Sequence, residues 1–422
     1  MTTEPNLVPP RLRNDCFAMP QGVAWVPVEE ALARLRAVLY PITATETIAL
    51  HQGLGRVLAD DMQATRANPP QANSAVDGYG FVHAATGTGV CQLPLVSGRA
   101  AAGQPFTGAV PAGHAVRILT GAILPEGVDT VVLEEDCAIS ATAIAFDGPI
   151  KPRANTRRAG EDIAQGATAL PKGHKLRAPD LALLAATGIA MLPVYRRLRV
   201  GILSTGDEIV TQNAAPHQIY DANRPMLLAL AQSWGMEPVD LGHSPDDTDL
   251  IRSKLTEATT RADVILTSGG ASAGDEDHVS RLLASEGQLS SWRIAMKPGR
   301  PLALAMWQGI PVFGLPGNPV AALICALIFA RPALSALSGA GWTSPQKFTL
   351  PASFSKTKKA GRREYLRARI TADGQAEVFA SEGSGRISGL AWATGLVELP
   401  DEALQVNPGD PVTFLPFGDF FA

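Results

Sequence analysis

Apolar runs and helical stretches alternate along residues 197–342. Short apolar runs such as RVGILST and DVILTSGG are typical of buried strands, and stretches with apolar residues at helical spacing follow them. NRPMLLALAQSWG is one such stretch, with Pro225 near its start and Gly235 after its end. Because strand and helix alternate, the pattern predicts βαβ units in a doubly wound, mostly parallel sheet covered on both faces.

The pattern changes outside that region. Residues 1–22 are polar and proline-rich, which predicts a loose N-terminal arm. Residues 23–63 and 153–196 have helical stretches, whereas 64–152 consists of short β-prone runs between Gly and Pro. We therefore expect a discontinuous helical linker domain with an inserted β-rich domain. Residues 343–422 are β-prone and predict a C-terminal β-barrel domain, so the fold class is multidomain α/β.

Composition narrows the function classes. A length of 422 residues predicts several domains. The net charge of −4, with no basic block, disfavours a nucleic-acid partner. The four cysteines form no CxxC pair and the seven histidines no HxxxH pattern, which favours a reducing cytoplasm and no histidine-rich metal site.

Two apolar runs are candidates for a membrane span. Leu181–Val194 is interrupted by Gly188, and Val320–Ala330 is closed by Arg331 and Pro332. Both are shorter than the roughly 20 residues that a span needs. The N-terminus also lacks the apolar core of a signal peptide. We therefore predict a cytoplasmic protein with no membrane partner.

Unusual residues follow four of the predicted strands. They are the segments TGDE (205–208), SPDD (244–247), SGGASAGDED (268–277) and LPGNP (315–319). In a doubly wound sheet the ligand crevice lies outside the carboxyl ends of the strands. The four loops are therefore expected to converge on one crevice.

The glycine-rich loop in this set suits an anion. Ser268, Gly269 and Gly270 begin a segment loose enough to wrap a phosphate with backbone N–H groups. An ordinary flexible loop between strand and helix explains the same residues equally well. No GxxxxGK[ST] motif occurs, so the P-loop route to nucleotide hydrolysis has no support.

Carboxylates in the same loops suit a cation. Capping of the following helices is the commoner role for such acids. At least one of them is nonetheless expected to face the crevice and to hold Mg²⁺, since one or two carboxylates plus phosphate oxygens is the usual arrangement. The candidates are Glu208, Asp247 and Asp277.

Two further segments near the crevice carry candidate ligands. Lys297, beside Pro and Gly in WRIAMKPGRP, suits a phosphate, and Arg293 would point the same way on a strand but fits surface charge equally well. In LPGNPV, Asn318 is a plausible N-cap and Pro319 the first helical residue. The helix would then direct its positive end at the crevice, although capping alone also explains the motif.

Candidates elsewhere in the chain have weaker support. Asp77 lies in the polar turn NSAVDGYG, and Thr120 ends an apolar run beside glycine. Arg363 lies in the arginine cluster GRREYLRA, and Ser384 begins SGRIS. When each of these residues is considered alone, a structural role or a solvated charge is the favoured interpretation.

Taken together, these motifs resemble the molybdopterin molybdenumtransferases of the MoeA and gephyrin E-domain type. The resemblance is carried in order by SAVDGYG, RILTGAILPEGVDTVVLEE, RRAGEDI, ILSTGDEIV, TSGGASAGDEDHV, KPGRP and GLPGNPV. It implies an elongated homodimer with four domains per chain. It also implies that the βαβ domain binds adenylylated molybdopterin, cleaves the pyrophosphate link with a divalent metal, and inserts molybdate with release of AMP.

The resemblance also implies residue roles. Glu208, Asp247 and Asp277 would hold the metal and, with Lys297, be catalytic, although Asp246 could replace Asp247. Asp77 and Thr120 would reach the cleft from the partner subunit. The implied substrate-binding residues are Ser268, Gly269, Gly270, Arg293, Pro316, Pro319, Asp77, Thr120, Asp162, Arg363 and Ser384.

Three alternatives stay open at this point. A paralogue could insert tungstate, because the two oxyanions are nearly equal in size and charge. A scaffold member of the family would bind partners without catalysis, although the acidic and basic site residues favour an enzyme. The preceding adenylyltransferase has a domain similar to 198–338, but the flanking domains favour the insertion enzyme. Transient contact with other cofactor-biosynthesis proteins is also expected.

Overall fold

The computed structural model describes residues 25–269, 278–299, 301–383 and 385–421. The chain forms two compact units, one of residues 44–196 and one that joins residues up to 43 with 197–422. Helix α1 (Val28–Val38) belongs to the second unit. It buries Val28, Ala31 and Leu35, one helical face, in that unit's core.

The grouping of residues 23–63 with 153–196 stays a prediction, although α1 packs in the core of the other unit. Its amphipathic pattern predicts a buried face but not which neighbour covers that face. The remaining domain boundaries stay predictions.

The unit of residues 44–196 consists mainly of short strands. Its one α-helix among the described residues is α2 (Ala178–Ala186). The strands are β1 (Thr45–Ala49), β2 (Met62–Gln63), β3 (Asn73–Ser74), β4 (Gly78–Phe81), β5 (Gly89–Ala100), β6 (Ala115–Ile118), β7 (Thr130–Leu133), β8 (Ala138–Ile139), β9 (Ala143–Gly148), β10 (Thr156–Arg157), β11 (Thr168–Leu170) and β12 (Met191–Tyr195). Six of them form one sheet in the order β7-β4-β6-β5-β9-β8.

The other unit contains an α/β domain and a C-terminal β domain. The α/β strands are β13 (Arg199–Thr205), β14 (Ile209–Val210), β15 (Ile219–Tyr220), β16 (Glu237–Ser244), β17 (Val264–Ser268), β18 (Gln288–Arg293), β19 (Met296–Lys297), β20 (Pro301–Trp307) and β21 (Ile310–Leu315). The helices that accompany them are α3 (Asn223–Ser233), α4 (Thr248–Arg261), α5 (His278–Glu286), α6 (Pro319–Cys325) and α7 (Arg331–Leu337).

The main sheet has the order β16-β13-β17-β21-β20-β18. The first four strands are parallel neighbours, whereas β20 runs antiparallel to both β21 and β18. One hydrophobic cluster includes residues of α3, α6 and α7, and a second includes residues of α4 and α5. The predicted α/β fold, with a mostly parallel sheet covered by helices, is confirmed.

The helix behind the last strand is longer than predicted. Residues 319–337 form one helical segment in which a π-helical turn, Ala326–Ala330, joins α6 to α7. Pro332 therefore does not end the helix, because it stands in the first turn after the wider π turn, where its missing N–H costs little. This segment is long and apolar enough to cross a membrane, but 89% of its most apolar window is buried inside the protein.

The C-terminal β domain follows. Its strands are β22 (Phe348–Pro351), β23 (Lys356–Lys358), β24 (Arg363–Ile370), β25 (Ala376–Val378), β26 (Gly395–Leu399), β27 (Leu404–Val406) and β28 (Pro411–Pro416), with short helices α8 (Ser388–Trp392) and α9 (Phe417–Phe421). The sheet order is β19-β24-β26-β28-β22, so the α/β domain contributes β19 to this sheet. The two domains are thereby joined beside Lys297.

Candidate functional site

The loops after β13 and β16 are tied together at the carboxyl edge of the sheet. The Gly206 N–H donates to the Ser244 carbonyl at 3.3 Å. The Asp246 N–H donates to Asp207 Oδ1 at 2.9 Å, and the Asp207 N–H donates to Asp246 Oδ2 at 3.4 Å. Two acidic loops from neighbouring parallel strands thus lie side by side.

Gly269 begins the glycine-rich loop in a conformation that favours glycine. Its φ is +94°, and a Cβ at this position would lie 2.6 Å from the Thr205 carbonyl oxygen. Its N–H donates to the Leu315 carbonyl at 3.2 Å. The loop after β17 is therefore held against the ends of both neighbouring strands by close backbone packing.

Asn223, the first residue of α3, joins two of the loops. Its Nδ2 donates to Ser268 Oγ at 2.6 Å and to the Gly317 carbonyl at 2.7 Å. The residue is only 5% exposed. One buried amide thus fixes the separation of the loops that follow β17 and β21.

Several buried polar atoms at this edge lack a partner in the described part of the chain. They are the hydroxyls of Ser204, Thr205 and Thr267 and the Oδ1 atom of Asn223. Buried polar atoms are normally hydrogen-bonded. Orphaned acceptors and donors beside a glycine turn are consistent with a crevice completed by a polar ligand. We use "strand-end crevice" below for the loops at 206–208, 245–247, 269 and 316–318.

The predicted metal carboxylates lie in or beside these loops. Asp247 caps α4, because its Oδ1 accepts from the N–H groups of Asp249 and Leu250 at 2.8 and 3.0 Å. Glu208 folds back to its own turn, where a Cβ on Gly206 would meet Glu208 Oε2 at 2.5 Å. The described residues contain no group of three His, Cys, Asp or Glu arranged to hold a metal. Asp277 and Gly270 lie outside the described residues.

The LPGNP segment begins a helix, as predicted. Asn318 Oδ1 accepts from the N–H groups of Val320 and Ala321 at 3.1 and 3.3 Å, and Pro319 is the first helical residue. Pro316 follows the end of β21 on the same edge. The N-terminus of α6 therefore adjoins the crevice with two of its N–H groups already paired.

Lys297 and Arg293 do not share a strand, so the prediction that they point the same way along one strand is wrong. Arg293 ends β18 and pairs with Pro301, whereas Lys297 belongs to β19 and pairs with Glu364 of β24. Ile294 between them is buried in the core. Within this stretch the chain leaves the first sheet and joins the second.

Lys297 lies in a cluster of charges. Its Nζ donates to Glu382 Oε2 at 2.7 Å and lies 3.9 Å from Glu364 Oε1. Lys356 Nζ lies 3.1 Å from Glu364 Oε2 and donates to Glu382 Oε1. Lys297, Lys356 and Glu382 border a cavity of about 170 Å³, which is also lined by Ser355, Ser381 and Arg367. We refer to this cluster and its cavity as the lysine cavity.

Electrostatics at Glu382 favour its charged form. Partial burial raises the pKa of the Glu382 carboxyl, but hydrogen bonds from Lys297 and Lys356 outweigh this effect and hold the pKa below its ordinary value. The carboxylate is therefore ionised at neutral pH.

Arg367 supports the loop that carries Glu382. Its guanidinium donates to the carbonyls of Ser381 at 2.5 Å and Gly383 at 3.2 Å. The predicted Ser384 belongs to the same segment but lies outside the described residues. Arg363 faces other partners, since it donates to Glu29 at 2.5 Å and to Asp401 at 3.1 Å.

The remaining predicted residues lie in the unit of residues 44–196. Asp77 Oδ1 accepts from the Thr120 N–H at 2.7 Å and from its hydroxyl at 2.6 Å. The Thr120 hydroxyl and N–H hold the pKa of Asp77 below its usual value. Asp162 accepts from Asn68 Nδ2 at 2.8 Å. Asp77 and Thr120 thus form one hydrogen-bonded pair.

Sequence reasoning missed three residues of these sites. The sequence pattern predicts Asn223 only as part of a helix, although its place in the first turn after a strand–loop segment is a usable signal. Lys356 and Glu382 gave no local signal, because they adjoin Lys297 only through the pairing of β19 with β24.

Three protein-family models match the chain in order. The MoeA N-terminal region (domain I and II) matches residues 26–188, the probable molybdopterin binding domain matches 201–336, and the MoeA C-terminal region (domain IV) matches 349–417. The second match contains the strand-end crevice together with Lys297.

Individual relatives are similar to this chain over most of its length. The molybdopterin molybdenumtransferase of Haemophilus influenzae is 35% identical over 401 residues, covering 92% of this chain and 98% of that protein. The one from Nostoc sp. is 34% identical and covers 88% of both chains. A crystal structure of the molybdopterin biosynthesis MoeA protein from Pyrococcus horikoshii OT3 has a TM-score of 0.82 at 28% identity, covering 93% of this chain and 100% of that one.

Proposed function

The chain belongs to the molybdopterin molybdenumtransferases, a family of transferase enzymes in molybdenum cofactor biosynthesis, and from this we propose that it inserts molybdate into adenylylated molybdopterin and releases AMP. The strand-end crevice is the part of the molecule that supports this proposal most directly. It combines a glycine turn, buried hydroxyls without partners among the described residues, and acidic loops on one edge of the sheet. A polar, phosphorylated ligand fits those groups.

The chain's own residues would position the substrate rather than attack it. Asn223 and Gly269 hold the loops at a fixed separation, so the ligand meets a rigid edge. Lys297 would stabilise negative charge that develops on the oxygens during cleavage of the pyrophosphate link. Water is the proposed attacking group, since no protein nucleophile is required. In the finished cofactor the two dithiolene sulfurs of the pterin ligate molybdenum.

Family membership implies that a metal takes part, and we propose Mg²⁺ as its identity. Carboxylate oxygens are ligands that Mg²⁺ takes, and the acidic loops supply them. Glu208, Asp247 or Asp246, and Asp277 would hold the ion. When bound, the ion would neutralise charge on the pyrophosphate oxygens.

The lysine cavity is the proposed position for the oxyanion. Two ammonium groups and the hydroxyls of Ser355 and Ser381 line its wall. Charge-assisted hydrogen bonds of this kind are the strong ones for a tetrahedral dianion. Arg293, Arg363 and Ser384 stay predicted substrate-binding residues.

The complete site is proposed to need a homodimer. Asp77 and Thr120 form a hydrogen-bonded pair in the unit of residues 44–196, and they would complete the cleft of a second copy of the chain. Asp162, which pairs with Asn68, would be a further acid near the site. A cytoplasmic location and transient contacts with other cofactor-biosynthesis proteins belong to the same proposal.

AMP release tests the proposal. The purified chain would be mixed with adenylylated molybdopterin, Mg²⁺ and molybdate, and AMP would be measured over time. We expect AMP release that requires both Mg²⁺ and molybdate. Binding of the pterin nucleotide without AMP release would contradict catalysis and favour a scaffold, and release with tungstate alone would favour the paralogue.

One substitution separates the metal role of Asp247 from helix capping. Asn caps as well as Asp, so Asp247→Asn keeps the acceptor for the Asp249 N–H but removes the charge. AMP release should fall by about 100-fold and require more Mg²⁺. Asp249→Asn, which removes an exposed charge two residues away, is the matched control. An unchanged Mg²⁺ requirement in Asp247→Asn would limit Asp247 to capping and shift the role to Asp246.

A further inference from the structure

Both ammonium groups of the lysine cavity are paired with carboxylates. Arg367, the third cation in its wall, donates instead to the carbonyls of Ser381, Gly383 and Arg386. The ammonium groups of Lys297 and Lys356 face the carboxylates of Glu364 and Glu382. An incoming anion therefore finds both ammonium groups already occupied by carboxylates. It gains a strong interaction only if one carboxylate leaves.

The two carboxylates differ in how freely they can leave. The Glu364 side chain is 10% exposed and lies within β24, between the two lysines. The Glu382 side chain is 45% exposed. The Glu382 side chain already reaches solvent, so water can replace the lysine contacts when its carboxylate leaves, whereas Glu364 would have to leave the protein interior.

The backbone around Glu382 is fixed, so its side chain is the mobile part. Arg367 binds the carbonyls on both sides of it, Ser381 and Gly383. Rotation of the glutamate side chain would open the cavity without unfolding the loop. Phe379, 5.0 Å from the Arg367 guanidinium, packs against the same anchor.

The carboxylate of Glu382 bridges both ammonium groups, one oxygen to each. Two oxygens of a tetrahedral dianion could take the same two contacts. We propose that Glu382 is a displaceable counter-ion that holds the oxyanion position, and that Lys356 binds the incoming dianion together with Lys297. This inference rests on the proposed function, and it makes Glu382 a residue that determines anion specificity.

Competition with Glu382 favours anions that carry two negative charges. A dianion with several oxygens replaces both lysine contacts and brings a second charge, so it can displace the carboxylate. A monoanion carries the same single charge as the Glu382 carboxylate, so the exchange gains little binding free energy. The cavity would thereby exclude the abundant singly charged anions while accepting molybdate or sulfate.

Calorimetric titration of the purified full chain with sodium molybdate, and separately with sodium sulfate, tests this inference. Glu382→Gln keeps the side-chain shape and removes the competing charge. It should bind both dianions at least about tenfold more tightly than the unchanged protein. Adding Lys356→Gln to that variant should abolish the gain, because the second ammonium group is then missing.

Glu377→Gln is the matched control. Glu377 lies in the same domain and accepts from Arg369 Nε at 2.7 Å, so this variant loses the same charge away from the cavity. Its anion affinity should equal that of the unchanged protein. Equal affinity of Glu382→Gln and the unchanged protein would overturn the inference, and so would an equal gain in Glu377→Gln.

The outcomes also separate this inference from the proposed function. Tighter dianion binding by Glu382→Gln without AMP release from the unchanged protein would support the counter-ion and contradict the enzyme. AMP release with no gain in Glu382→Gln would support the enzyme and contradict the counter-ion.

Discussion

The strand-end crevice and the lysine cavity present charge-binding groups in different ways. The crevice uses backbone turns, neutral hydroxyls and one buried amide, and several of those polar atoms have no partner among the described residues. The cavity uses full charges, and each is already paired. The neutral groups of the crevice can receive a ligand without rearrangement. In the lysine cavity, by contrast, a ligand must first replace a carboxylate that is paired with the lysines.

This difference predicts different responses to substitution. Loss of an ammonium group in the lysine cavity removes the source of attraction for an anion, so function should fall steeply while stability changes little. A change in the crevice alters backbone geometry, so stability and function should fall together. The following predictions test that division from the largest expected effect to the smallest.

Replacement of Lys297 should give the largest loss. Lys297→Met keeps the apolar stem and removes the ammonium group that binds Glu382. We expect AMP release to fall by at least about 100-fold, the cost of removing a donor that stabilises developing charge. The apparent Tm should change little. Lys347→Met, which removes a half-exposed ammonium group from its pair with the buried Glu398 carboxylate, is the control, and an equal loss there would show that the effect is not specific to the cavity.

Much of the crevice could be predicted from sequence, because parallel strands place consecutive loops on one edge by topology. The glycine turn at Gly269, the cap at Asn318 and the acidic loops all lie on that edge. The lysine cavity could not be predicted in this way. Glu382 is 85 residues from Lys297, and only the pairing of β19 with β24 brings the two domains together there.

A paired glycine substitution measures the close packing of the crevice. Gly269→Ala introduces both a strained positive φ and a Cβ 2.6 Å from the Thr205 carbonyl. Gly309→Ala introduces the strain alone, since a Cβ there meets nothing within 4 Å. Urea unfolding should show a cost of roughly 1–2 kcal/mol for Gly309→Ala and a larger cost for Gly269→Ala.

The same two variants should also differ in their rate of AMP release. Gly269→Ala should also slow AMP release, because the loop after β17 must move away from Thr205. Gly309→Ala should leave the rate unchanged. If both variants lose activity equally, close packing at Gly269 is not what holds the crevice.

Asn223→Ala tests whether the buried amide positions the two loops. It removes both hydrogen bonds, to Ser268 Oγ and the Gly317 carbonyl, and should cost roughly 1–3 kcal/mol in urea unfolding. AMP release should fall about tenfold through a lower kcat, because the loops lose their fixed separation. In a double-mutant cycle with Ser268→Ala, the two losses should not add. Full additivity would show that the observed bond does not couple them.

The smallest effect is the contribution of Glu382 to stability and its dependence on pH. The folded pKa of this carboxyl lies below its ordinary value of 4.5, because the hydrogen bonds from Lys297 and Lys356 outweigh partial burial. A depressed folded pKa stabilises the native state above the unfolded pKa, and this contribution is lost as pH falls through the folded value.

Glu382→Gln should therefore lower the apparent Tm at pH 7, by no more than about 3 °C for a half-exposed carboxylate. The difference between the two proteins should persist down to about pH 4.5 and then shrink on further acidification. A difference that is constant from pH 7 to pH 3 would mean that the ion pairs of Glu382 do not stabilise the cavity, and the contrast with the neutral crevice would then rest on function alone.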